Sequence, residues 1–68
     1  MKKTMTLNLT EVEMTVLEGM CERKGLSKTV LIRQALRLYK SIDDRLESGE
    51  KVFIESEDKL EKTELMVL

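Results

Sequence analysis

The segment Thr4-Met5-Thr6-Leu7-Asn8-Leu9 constrains the fold more than any other, because it alternates with period two and has no nearby strand to pair with. Met5, Leu7 and Leu9 fall on one face of a strand, and Thr4, Thr6 and Asn8 on the other. A single strand leaves its backbone donors and acceptors unpaired, and even an isolated two-stranded hairpin is marginal in water. Helical patterns follow at once, so the simplest partner is the same strand of a second chain.

Size points the same way. At 68 residues the chain forms one core at most, and a monomer this short buries little apolar surface. One cysteine allows no intrachain disulfide. With no histidine, and Cys21 the one strong soft ligand, a zinc site within one chain is excluded. Small chains without such staples usually complete their core with a partner. A homodimer is therefore expected, with no cofactor and no metal. The 41% apolar and 37% charged content is too apolar for a disordered chain and suits short amphipathic helices. Met1-Lys2-Lys3 could open a signal peptide, but an alternating segment follows instead of an apolar run, and no stretch approaches membrane-spanning length. The lone free cysteine fits a reducing cytoplasm.

Thr10 to Glu13 reads as a capping box opening a first helix that runs to about Lys24. Met14, Leu17, Met20 and Cys21 form its apolar face, with Cys21 a core thiol. Gly19, costly inside a helix, is expected to mark a close backbone approach. Arg23 and Lys24 suit the negative helix end, and Gly25 its left-handed stop. Ser27 caps a second helix, expected to end near Ser48-Gly49. It carries two adjoining apolar rows, Leu31, Ala35, Leu38 and Ile42 beside Ile32, Leu36, Tyr39 and Leu46. A stripe that wide is more than one neighbouring helix would cover, and predicts a helix deep in an intertwined dimer core.

The tail changes character. Val52-Phe53-Ile54 and Leu65-Met66-Val67-Leu68 are apolar runs around a charged stretch, Glu55 to Glu64, which together predict a loose hairpin. Charge divides similarly: residues 1–42 hold eight Lys/Arg and four Asp/Glu, whereas residues 43–68 hold four and nine. The net charge of −1 thus conceals a basic N-terminal part and an acidic extension. The expected organisation is a domain over residues 1–47 and an acidic extension over residues 48–68.

Met1-Lys2-Lys3, the alternating Thr6-Leu7-Asn8-Leu9-Thr10, Gly25-Leu26-Ser27-Lys28, Ala35-Leu36 and Tyr39-Lys40 together resemble the ribbon-helix-helix (MetJ/Arc/CopG) family of DNA-binding proteins. The small copy-number repressors are nearest in pattern, and the match is gapless over residues 1 to about 41. The resemblance implies a mainly α fold with a short N-terminal strand, an intertwined homodimer and an intermolecular antiparallel β-ribbon that enters the major groove. It implies base reading by Thr4, Thr6 and Asn8, and phosphate contacts from Lys2, Lys3, Ser27, Lys28 and Thr29. Relatives often carry a basic residue where this chain has Thr4. Met5, Leu7, Leu9, Leu17, Ile32, Leu36 and Tyr39 would form the dimer core.

Each feature also has a plainer account. A polar strand face is most often simply solvated, and Gly25 and Ser27 are first of all stop and cap residues. The complete strand-helix-turn-helix order in so short a chain favours the DNA reading. Two functions fit it: a sequence-specific transcriptional repressor, or the antitoxin of a toxin-antitoxin pair whose acidic tail wraps a basic toxin. A protein-interaction module without DNA is the third. No nucleophile, base or ligand cluster supports an enzyme. A cytoplasmic setting in a prokaryote, on a plasmid or phage, follows from the resemblance. Cooperative assembly on DNA and a protein partner for the tail remain open.

Overall fold

A computed structural model of the chain describes residues 2–65. The order of elements is α1 (Glu11–Lys24), α2 (Lys28–Glu47), β1 (Phe53–Glu55) and β2 (Lys62–Glu64). The chain divides into two units, Met1–Arg33 and Gln34–Leu68. No helix among the described residues is long and apolar enough to cross a membrane.

In the first unit, the start of α1 is fixed by reciprocal hydrogen bonds. The Glu13 amide donates to Thr10 Oγ1 at 3.1 Å, and the Thr10 amide donates to Glu13 Oε1 at 2.9 Å. This capping box satisfies two amides that the helix itself leaves open. Hydrogen bonding from Thr10, its backbone amide first and its side chain second, holds the Glu13 carboxyl below its ordinary pKa. At the other end Gly25 takes φ 65° and ψ 36°, a left-handed conformation that a Cβ would strain. The Leu26 amide then reaches Cys21 O at 3.0 Å and the Gly25 amide reaches Glu22 O at 3.3 Å, the paired bonds of a Schellman stop. Met14, Leu17, Met20 and Cys21 are the half-buried residues of α1, as the helical spacing predicts. A Cβ at Gly19 would meet nothing within 4 Å, so the close approach expected there is not made within one chain.

Helix α2 opens on Ser27, whose Oγ accepts from the Val30 amide at 3.2 Å. It closes at Gly49, with φ 89° and a second pair of stop bonds, Gly49 N to Leu46 O and Glu50 N to Arg45 O, both at 3.0 Å. The helix therefore ends where the sequence places its end. Its apolar rows are largely uncovered. Leu31 is 7% exposed and is the single buried hydrophobic among the described residues, whereas Leu36 is 70% and Tyr39 47% exposed. A helix deep in a core is not what one chain forms; that burial needs atoms from elsewhere.

The N-terminal strand expected over residues 4–9 is absent: among the described residues, residues 2–10 carry neither helix nor strand. A strand exists by its ladder, and the described residues of one chain offer this segment no ladder.

The second unit contains an antiparallel hairpin in the register Phe53↔Glu64, Ile54↔Thr63 and Glu55↔Lys62. The expected hairpin forms, but its returning strand lies earlier than the apolar run Leu65 to Leu68, of which Met66, Val67 and Leu68 fall outside the described residues. The turn sets this register. The Asp58 carboxylate accepts from Ser56 Oγ at 2.6 Å and from the Leu60 amide at 3.0 Å, bonds that lower its pKa. Lys59 takes the left-handed φ of 63°, and Ser56 N reaches Glu61 O at 2.8 Å. Closing at Ser56 and Glu61 brings Lys62 opposite Glu55. Among the described residues the sheet has two strands, with the Lys62 ammonium 4.8 Å from the centre of the Phe53 ring.

Candidate nucleic-acid interface

Two groups of polar residues in the first unit form the candidate interface. The first is Lys2, Lys3, Thr4, Thr6 and Asn8, all exposed. The residues alternating with them are not yet covered: Met5 is 78% and Leu7 50% exposed, while Leu9 is half-buried. Both sides of this segment therefore meet solvent in a single chain. The separation into a polar and a buried face, expected from the sequence, would require an added layer.

The second group is the start of α2. The two helix starts differ in a way that matters for anions. The first turn of α1 contains Glu11 and Glu13, so its positive end is already answered by its own carboxylates. The first turn of α2 has no acidic residue. Ser27 takes the amides of Val30, through its Oγ, and Leu31, through its carbonyl at 3.0 Å. The amides of Lys28 and Thr29 carry no hydrogen bond among the described residues. They stand at the positive end of a 20-residue helix, an arrangement that favours an anionic oxygen.

Lys28 is not idle. Its ammonium lies 3.7 Å from Glu18 Oε2, with both side chains about half exposed. A pair this long and this solvated contributes well under about 1 kcal/mol, so an incoming phosphate can displace it. Sequence spacing gave no sign of Glu18, because the two residues stand on different helices and share no i, i+4 relation. It also passed over Val12 and Val16, which form a second, exposed apolar stripe on α1.

The structure does not join the two groups: no hydrogen bond or ion pair links residues 2–8 to residues 27–29 among the described residues. The proposed dimer-core residues behave unevenly. Leu17 and Leu9 are half-buried, whereas Met5, Leu7, Ile32, Leu36 and Tyr39 are exposed. Among the described residues no group of three or more Cys, Asp or Glu side chains comes together as a metal site would need. Comparison with protein-family models, with curated proteins and with solved structures finds no match to this chain.

Proposed function

We propose that this chain is a sequence-specific double-stranded DNA-binding protein of the ribbon-helix-helix kind, acting as a dimeric transcriptional repressor in a prokaryotic cytoplasm. The observation that carries the reading is the helix–Gly25–helix unit with an uncovered apolar surface. Both helices are capped by their own side chains, yet Leu31 alone among the described hydrophobics is buried. Local structure is thus specified while the core is not, which is what a chain completed by a second copy requires. Pairing residues 4–9 of two copies would cover Met5, Leu7 and Leu9 and turn Thr4, Thr6 and Asn8 outward. A two-stranded ribbon of that kind fits the major groove. Asn8 can bond an adenine bidentately, and a threonine hydroxyl can donate or accept at a base edge. The start of α2, with no acidic residue in its own first turn, would hold a backbone phosphate, with Lys2, Lys3 and Lys28 adding charge.

An antitoxin would present its C-terminal segment to a toxin. Here residues 53–64 close on themselves through ladder and turn hydrogen bonds, which favours the repressor. The test is selection of bound duplex DNA from a random pool at a fixed salt concentration. The reading predicts enrichment of one motif arranged as an inverted repeat, because a two-fold dimer presents its ribbon symmetrically. A pool that binds without enrichment contradicts it.

A further inference from the structure

The hairpin leaves an edge whose chemistry is complementary to itself. Leu65 N donates to Val52 O at 2.7 Å and Ser56 N to Glu61 O at 2.8 Å. In an antiparallel ladder bonded pairs alternate with unbonded ones, so Val52, Ile54 and Ser56 turn their backbone groups inward to β2. Phe53 and Glu55 therefore turn theirs to the outer edge of β1, and the same alternation, carried back through Val52, would place Lys51 on that edge just before the strand. Among the described residues the sheet has only β1 and β2, so no strand covers that edge. Its residues read, in order, Lys51, Val52, Phe53, Ile54 and Glu55: cation, aliphatic, aromatic, aliphatic, anion.

We infer that this edge pairs with the same edge of a second copy, antiparallel, about a two-fold axis at Phe53. That register puts Lys51 across from Glu55 of the second copy, twice, with the two Phe53 rings between them on the same face. Val52 meets Ile54 of the second copy on the opposite face. Phe53 and Ile54, 46% and 60% exposed in one chain, gain cover from this pairing. Neighbouring registers are worse. An axis at Glu55 or Lys51 opposes like charges, and one at Val52 or Ile54 sets a charge against the aromatic ring. The outer edge of β2 also has a charge-complementary register, Lys62 with Glu64 about Thr63. However, it offers no apolar pair, whereas the β1 edge brings Phe53 against Phe53 and Val52 against Ile54. The Lys51–Glu64 contact of 4.0 Å within one chain is long and exposed, so Lys51 can exchange it for Glu55 of the second copy. The product is a four-stranded sheet of two hairpins. It joins chains through the acidic extension and does not depend on the DNA reading.

The test is nuclear magnetic resonance on the full chain, mixing isotope-labelled with unlabelled copies so that only contacts between chains are seen. Val52 and Ile54 of the second copy form an unbonded pair, whose α-carbons approach to about 4.5 Å. A cross-chain Hα–Hα contact between them is expected. Glu55→Lys should lose it, and Lys51→Glu with Glu55→Lys should regain it. The contact between Phe53 and Glu64 within one chain reports whether each variant keeps its hairpin. Absence of the Val52–Ile54 contact in the unaltered protein overturns the inference. So does a cross-chain contact centred on Thr63, or a folded double variant that fails to recover.

Discussion

Leu36→Ala separates a dimer from a monomer by the sign of its effect. In one chain Leu36 is 70% exposed on the middle of α2. If α2 stayed exposed, the substitution would remove little packing and add helix propensity, leaving stability unchanged or raised by a few tenths of a kcal/mol. If a second copy covers α2, the three lost carbons each forfeit about 0.8 kcal/mol of burial. Scaled by the fraction still exposed in one chain, the loss is about 1.7 kcal/mol per chain and about 3.4 kcal/mol per dimer. That corresponds to a dissociation constant roughly 300-fold higher. Sedimentation equilibrium over a dilution series reads this directly, and urea unfolding at matched protein concentration gives a second measure. A folded monomer at micromolar concentration, or a Leu36→Ala protein as stable as the original, refutes the argument.

Charge at both helix starts can be tested in the same way. The Glu13 carboxyl is held below its ordinary pKa by the Thr10 donors, so its contribution to stability is present above the unfolded-state pKa and is lost as pH falls through the folded-state value. Glu13→Gln keeps the capping geometry without the titration, so urea midpoints below about pH 4.5 should fall less steeply in the variant; equal slopes would show that ionisation of Glu13 adds nothing to folding. At the start of α2, Lys28→Ala should weaken binding to all DNA sequences about equally and make the salt dependence shallower, since fewer counterions are released. Glu18→Gln should have the opposite effect on affinity, because it frees Lys28 from the carboxylate 3.7 Å away. Fluorescence titrations at several salt concentrations read both, and unaltered binding in both variants would remove this helix start from the interface.

What could be read from the sequence was what depends on neighbours three to five positions apart. The Thr10–Glu13 box, the stop at Gly25, the Ser27 cap and the end of α2 at Gly49 are set by such contacts, and all four occur where expected. The N-terminal alternation was equally visible, but a strand there depends on a ladder that one chain does not supply. The returning strand lies at Lys62–Glu64 and not in the apolar run that begins at Leu65, because the turn and not apolar content sets its position. Ser56, Asp58 and Lys59 carry the information that fixes the register, through side-chain bonds and one left-handed residue. Of the candidate site, the polar positions of the N-terminal segment and the Ser27 helix start were legible. The Glu18–Lys28 pair was not, since it depends on how two helices meet across the turn.

The central claim is that Thr6 and Asn8 read bases. Asn8→Ala should remove bidentate bonds worth about 1–3 kcal/mol per contact and relax preference at one position of each half-site. Thr6→Ala should act in the same direction with a smaller effect, since one hydroxyl discriminates less. Both side chains are exposed, so neither change should alter folding. The measurement is the ratio of affinities for the selected motif and a scrambled duplex, compared across the original and both variants at fixed salt. The account predicts that the ratio falls for both, at least about fivefold for Asn8→Ala. Ratios that stay constant while the proteins remain folded would contradict it.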